Sequence, residues 1–223
     1  MWRDALLVGG KDLRIEARSR VALAQIAPFG VIVLVLFAFA LGPDQSPLVH
    51  AAPGLFWVAI LFSTVLAVQR SVAVEAGDAS RDGLRLAGLD PAGIFLGKAA
   101  AVGAQLLVLQ AVLAAGVLLL FGARVVHPWL LLGTCAAGAV GLAASGTLYG
   151  ALSAGVRMRE TLLPFLLLPV VAPVLLAGTR LWQASLAGGA PDVGSSWMRL
   201  LLVFDAVYLA LGVVVFGPLT EAA

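Results

Sequence analysis

The stretch DPAGIFLGKAAAVGAQLLVLQAVLAAGVLLLF at residues 90–121 decides the fold of this chain. After Asp90, its only charged residue is Lys98. A membrane core about 30 Å thick is crossed by about 20 mostly apolar helical residues, so residues 93–121 are predicted to span a membrane. Asp90 followed by Pro91 is typical of a helix start, because the aspartate can accept from a free N–H and proline has no N–H to satisfy.

Five further apolar stretches share this character, and polar or Gly- and Pro-rich breaks separate them. The six predicted spans are residues 21–41, 52–69, 93–121, 128–155, 161–180 and 197–218. Only 12% of the residues are charged, whereas soluble domains have about 25%. This composition excludes a water-soluble fold, and the net charge of +2 gives no support for nucleic-acid binding. We therefore predict an all-α polytopic membrane protein with six transmembrane helices and with lipid as its first partner.

The basic residues predict the orientation, because short cytoplasmic loops are enriched in Lys and Arg. The N-terminal segment, the connection after the second span and the loop after the fourth contain Arg3, Lys11, Arg14, Arg18, Arg20, Arg70, Arg81, Arg85, Lys98, Arg157 and Arg159. The opposite loops hold only Arg124, Arg180 and Arg199. Both termini are therefore predicted to be cytoplasmic. The alternative, a signal peptide within residues 1–40, is disfavoured because its apolar stretch exceeds the usual length of about 7–15 residues.

Aromatic and metal-ligating side chains occur on the predicted outer side. Trp57, Trp129, Trp182 and Trp197 fall near the outer ends of spans, where indole rings favour the membrane interface. His50 and His127 each adjoin a span, but isolated loop histidines are usually solvated. No metal site is predicted.

Residues 1–20 are predicted to form a cytoplasmic interfacial helix, distinct from the transmembrane domain of residues 21–223. Within this helix, Trp2, Leu6, Gly9, Leu13 and Ala17 recur on one stripe among charged residues. Two interpretations remain open. The stripe either anchors the helix to the membrane or also packs against neighbouring subunits.

The connection RSVAVEAGDASRDGLRLAGLD at residues 70–90 is predicted to form a helical hairpin. A turn at Gly77 and Asp78, with Ser80 as a helix cap, would open a short helix that ends near Gly88. Exposed leucines beside charges suit a docking surface. The alternative is an inert amphipathic loop that rests on lipid headgroups.

Two spans contain residues that alter helix geometry. Pro164, Pro169 and Pro173 are predicted to kink or locally unwind span five, because each leaves a carbonyl without its hydrogen-bond donor. Gly146 and Gly150 in span four form a small-xxx-small pair that permits close helix approach.

Catalytic groups are not recognisable. Asp205 is the one ionisable residue well inside a span, so it is predicted to face a cavity or a partner, either in a functional role or as a hydrogen-bonded structural aspartate. GIFLGKA at residues 93–99 superficially resembles a nucleotide-binding loop, but it is one residue short and lacks the following Ser or Thr. The chain is therefore predicted not to be an enzyme, and any ATP hydrolysis must occur in another subunit.

The chain resembles the CcmB family, the membrane subunits of the ABC transporter of cytochrome c maturation. The resemblance is carried by KDLRIEARSR at 11–20, APGLFWVAILFSTVLAVQR at 52–70, VEAGDASRDGLRLAGLDPAGIFLGK at 74–98 and VRMRETLLPFLLLPVVAPVLL at 156–176. Arg85, Gly88 and Asp90 interrupt what is usually a leucine run in the family, which leaves the detailed docking contacts open.

The resemblance implies an ABC-2-like permease of the bacterial inner membrane. A second CcmB-like copy, CcmA-like ATPases and CcmC-like and CcmD-like membrane subunits would be its partners, and the output would be release of the haem-loaded chaperone CcmE. The hairpin at 70–90 would be the coupling element. The residues expected at the ATPase interface are Glu75, Gly77, Asp78, Ser80, Leu84, Leu86, Leu89 and Lys98. No cofactor is expected on this chain, since ATP and haem would act through partners.

Two other functions stay open. An ABC-2 permease for a lipid, polysaccharide or drug would share the hairpin, but it would usually have a larger region between spans five and six than residues 181–196. A stand-alone carrier or channel would need intramembrane charges that are nearly absent from this sequence.

Overall fold

The computed structural model describes residues 1–19, 24, 26–40, 45–77, 88–153, 159–187 and 191–222. Within these ranges the chain is helical apart from residue 1 and the connecting residues 88–90 and 122–127. The helices are α1 (Trp2–Ser19), α2 (Ala27–Ala40), α3 (Gln45–Gly77), α4 (Pro91–Phe121), α5 (Pro128–Ser153), α6 (Arg159–Ala187) and α7 (Pro191–Ala222). The predicted all-α membrane fold is confirmed.

Among the described residues, five helices are long and apolar enough to cross a membrane. Their apolar parts are Val49–Val72, Pro91–Phe121, Pro128–Ser153, Leu162–Leu186 and Gly194–Leu219, which correspond to the second to sixth predicted spans. The first predicted span is described only in part: helix α2 has 14 residues, and residues 21–23, 25 and 41 of that span lie outside the described residues. Its full length therefore stays a prediction.

The start of α4 follows the sequence prediction closely. Asp90 is the N-cap in extended conformation, and its side chain accepts a hydrogen bond from the Ala92 N–H. At the other end, Gly122 adopts the left-handed conformation, with φ of 63°. A glycine after the last turn is favoured there because it has no Cβ to clash.

Helix α5 lies at the centre of the bundle and contacts α3, α4, α6 and α7. Its residues 141–148 are all buried, and most of them are small. A Cβ built on Gly146 would lie 2.7 Å from Val68 Cγ2, and one on Gly150 would lie 2.8 Å from Val68 Cγ1. The predicted small-xxx-small contact is therefore confirmed, with α3 as the neighbouring helix.

Two of the four outer tryptophans do not lie at an exposed interface. Trp57 and Trp182 are 1% and 0% exposed, whereas Trp129 is 82% exposed. The Trp57 indole fills the space that Gly138 of α5 and Gly178 of α6 leave open, and Phe56 stacks on Trp182 with ring centroids 3.9 Å apart. The prediction of an aromatic belt was wrong for this pair, because neighbouring helices offer the rings a cavity in the bundle.

Helix α6 runs without interruption through Pro164, Pro169 and Pro173. Its buried residues follow a separate seam: Leu163, Leu167, Val171, Val174, Ala177 and Leu181. All three prolines lie off this seam, and Pro169 is exposed. The described helix is therefore not unwound at these prolines.

Candidate functional site

The predicted coupling residues cluster around the connection between α3 and α4. Asp78, Ser80, Leu84 and Leu86 lie outside the described residues. The backbones of Glu75 and Gly77 form the last turn of α3. The site can therefore be built from the two helix ends that flank residues 78–87.

The residues at the α4 side of the connection are described. Leu89 is half-buried, and Gly88 adopts φ of 63°, a left-handed conformation that glycine adopts readily because it has no Cβ. Lys98 is only 6% exposed. Within this chain its ammonium is thus covered, and its expected contact with an ATPase stays a prediction.

Helix α1 packs along the first half of α4 through three glycines. A Cβ on Gly97 would lie 2.6 Å from the Ala5 carbonyl oxygen, and one on Gly93 would lie 2.7 Å from the Met1 carbonyl oxygen. From the α1 side, a Cβ on Gly9 would meet the Gly97 carbonyl oxygen at 3.0 Å. These atoms are backbone and cannot rotate away. Because glycine has no side chain, the two helix backbones can approach to direct contact here.

Polar contacts fix the start of α1 at the start of α4. The backbone N–H of Asp90 donates to Asp4 Oδ2 at 3.3 Å, and this bond lowers the pKa of Asp4 below its usual value. The Met1 amine lies 3.3 Å from Asp4 Oδ2 and 3.4 Å from Asp90 Oδ2. Desolvation opposes its charge, but the two carboxylates outweigh it and raise the pKa of the amine.

The other end of α1 contacts α3. Arg70 Nε lies 3.5 Å from Glu16 Oε2, with the two side chains 31% and 13% exposed. A cavity of about 40 Å³ beside this ion pair is lined by residues of α1, α3 and α4, including Asp12 and Gln105. Helix α1 therefore bridges the two helices that flank residues 78–87, at Asp90 on one side and at Arg70 on the other.

Asp205 lies in the middle of α7 and is 6% exposed. It faces α5, where a Cβ on Gly141 would lie 2.5 Å from Asp205 Oδ1. Among the described residues, Asp205 Oδ1 has no hydrogen-bond partner, and the same holds for the side-chain amide nitrogen and oxygen of Gln110. A buried polar atom without a partner is unfavourable. The contacts of Oδ1 therefore do not support the hydrogen-bonded structural role that was one of the two predictions for Asp205.

Histidines and carboxylates do not converge on one point in the described ranges, where no group of three or more His, Cys, Asp or Glu side chains could hold a metal ion. His127 and the neighbouring Val126 donate their backbone N–H groups to the Ser185 carbonyl. His50 and His127 are both exposed.

Sequence reasoning missed the bridging role of α1. The signal was present in Gly93 and Gly97, which are spaced four residues apart like other close helix contacts. In the sequence, the same residues resembled only an imperfect nucleotide-binding loop. The partner of a glycine pair is set by tertiary structure and cannot be read from its spacing.

Comparison with known proteins gives a consistent match. The profile of the family described as "CcmB protein" matches residues 3–219. The chain is 33% identical to "Heme exporter protein B" of Paracoccus denitrificans over 226 residues, which covers 98% of this chain and 96% of the relative. It is also 33% identical to the protein of that name from Pseudomonas aeruginosa over 198 residues, 87% of each chain.

Proposed function

The chain belongs to the CcmB family, and from this membership we propose that it is the permease subunit of an ABC exporter that serves cytochrome c maturation. Its family supports a role as a component of a haem exporter, which is not itself an enzyme. Its long apolar helices place this component in the membrane. ATP hydrolysis belongs to CcmA-like partner subunits. The membrane is the bacterial inner membrane, with both termini in the cytoplasm.

The bridge formed by α1 supports the coupling part of the proposal. An ATPase that pushes on residues 70–90 acts on the end of α3 and the start of α4. Because α1 contacts both at Arg70 and Asp90, the two helices receive the displacement together. The central helix α5 packs against both of them, so the displacement reaches the rest of the bundle.

The remaining subunits follow from the family. A second copy of this chain completes the transmembrane pathway, and CcmC-like and CcmD-like subunits join it in the membrane. The assembly releases haem-loaded CcmE. ATP and haem are handled by partner chains, and this chain supplies the spans and the coupling surface.

Two charges introduced into the predicted hairpin test the ATPase contact. Leu84→Glu with Leu86→Glu should reduce the co-purified CcmA-like ATPase at least tenfold, because two carboxylates would be buried without partners at the interface. The matched control is Leu84→Met with Leu86→Met, which keeps both side chains apolar and should retain the ATPase. Equal ATPase recovery with the glutamate pair, from protein of unchanged yield, would exclude this surface as the interface.

Deletion of the gene tests the biological output. The expected result is loss of haem-stained c-type cytochromes and a change in the amount of haem-bound CcmE, both restored by the wild-type gene on a plasmid. Normal c-type cytochromes in a strain without a redundant maturation system would favour a permease for another substrate.

A further inference from the structure

Helix α1 presents an apolar stripe that its contacts with α4 leave uncovered. Trp2, Leu6 and Leu13 are 72%, 78% and 41% exposed, while Val8 on the packed side is 2% exposed. At about 100° per residue, the three exposed side chains fall within about 40° of the helix circumference. An exposed tryptophan beside leucines is typical of a helix that inserts one face into the membrane interface.

The next helix along the chain also exposes an apolar face. Along α2, exposed side chains recur at spacings of three or four residues: Phe29, Ile32, Leu36 and Phe39. These lie on a helix of strongly apolar composition, APFGVIVLVLFAFA, which suits contact with lipid.

A second exposed face of α1 carries three arginines around the exposed Leu7. Arg3, Arg14 and Arg18 are exposed, and they fall within about 60° of one another and about 100° from the centre of the apolar stripe. Arginine side chains are long enough to lie along the apolar surface and reach lipid phosphates.

The acidic residues of α1 do not cancel this charge, because each has an intramolecular contact. Asp4 accepts from the Asp90 N–H, Asp12 lies 3.0 Å from Lys11 Nζ, and Glu16 pairs with Arg70. Their side chains are 21%, 19% and 13% exposed. The helix thus turns its carboxylates towards the protein and its arginines outwards.

We propose that α1 is a binding surface for anionic phospholipid of the cytoplasmic leaflet, with the stripe of Trp2, Leu6 and Leu13 in the acyl region and Arg3, Arg14 and Arg18 on the headgroup phosphates. This inference rests on the proposed orientation, with the N-terminus in the cytoplasm, but not on what the complex transports. Bound lipid would hold α1 against α4 and so support the bridge between α3 and α4.

The test compares two variants of the full chain that lose the same charge. In one, Arg3, Arg14 and Arg18 become glutamine. In the control, the exposed arginines of the opposite side, Arg124, Arg180 and Arg199, become glutamine. Native mass spectrometry of detergent-purified protein, titrated with phosphatidylglycerol or phosphatidylcholine, gives the apparent affinity for each lipid.

Each arginine near an anionic surface contributes about fivefold to affinity, so the α1 variant should bind phosphatidylglycerol about 100-fold more weakly. The control should bind as the wild type does, and phosphatidylcholine should not distinguish the proteins. Circular dichroism of both variants should match the wild type.

Two results would overturn the proposal. One is unchanged phosphatidylglycerol affinity in the α1 variant; loss of a co-purifying protein at the same time would assign the arginines to a protein partner. The other is an equal loss in both variants, which would indicate unspecific charge attraction.

Discussion

Replacement of Gly97 by alanine should displace α1 from α4. The added Cβ would lie 2.6 Å from the Ala5 carbonyl oxygen and 2.9 Å from Val8 Cβ. Because these atoms belong to the backbone or to the base of a side chain, relief requires movement of the whole helix. Overpacking of this kind costs about 1–3 kcal/mol, so hydrogen exchange of α1 amides in the purified full chain should accelerate by about tenfold or more.

The matched control for Gly97→Ala lies two turns further along the same helix. A Cβ on Gly103 would meet its nearest atom, Ala143 Cβ, at 3.6 Å, an ordinary contact distance. Gly103→Ala should leave the exchange of α1 unchanged. Unaltered α1 exchange in Gly97→Ala would mean that α1 does not pack on α4 as described, and it would remove the support for the bridge.

The same substitution bears on coupling. If α1 transmits displacement from residues 70–90 to both α3 and α4, Gly97→Ala should leave ATPase binding intact but prevent that binding from moving the two helices together. The CcmA-like ATPase should still co-purify, since residues 84 and 86 are untouched, while c-type cytochrome formation should fall. Loss of both together would instead indicate that α1 shapes the docking surface itself.

Local signals in the sequence were sufficient to predict most of the helices. Asp90 and Pro91 predicted the start of α4, and the Asp90 side chain caps it. Hydropathy located the second to sixth spans because each is a continuous segment of suitable composition. The first span is described only over Ala27–Ala40, so its full extent stays a prediction.

Contacts between helices were not predictable in the same way. The positions of Trp57 and Trp182 near span ends suggested a membrane interface, and the structure buries both. Nothing in the neighbourhood of Trp57 in the sequence indicates that Gly138 and Gly178, each from another helix, leave space for its ring. Burial of this kind depends on which helices are neighbours, and periodicity carries no such information when every face of a helix is apolar.

The candidate site was predictable only in part. Residues 70–77, predicted to begin the hairpin, instead continue helix α3 to Gly77. The hairpin itself stays a prediction, because residues 78–87 lie outside the described residues. The bridge from Asp90 to Arg70 depends on α1, which hydropathy separates from the bundle because it is charged. The glycine contacts with α4 and the polar contacts at Asp90 and Arg70 together determine where it packs.

Trp57→Ala should produce the largest loss of stability of any single substitution considered. The Trp57 side chain is 1% exposed, contacts Phe56 edge to face at 5.5 Å between centroids and fills the space between α5 and α6. Truncation of a buried tryptophan costs about 3–5 kcal/mol in soluble cores. Lipid tails are themselves apolar, so the water-transfer contribution is small, and we expect the lower end of that range.

Thermal unfolding of the purified chain in one detergent measures this effect, and Trp129→Ala is the matched control. Trp129 is 82% exposed, so its removal leaves no cavity and should shift the midpoint little. If instead both tryptophans were interface anchors, as their positions near span ends suggest, the two substitutions would cost similar amounts. A clear excess for Trp57→Ala therefore distinguishes packing between helices from anchoring at the interface. Equal shifts would contradict the packing of α3 against Gly138 and Gly178, and with it the route by which movement of α3 reaches α5 and α6.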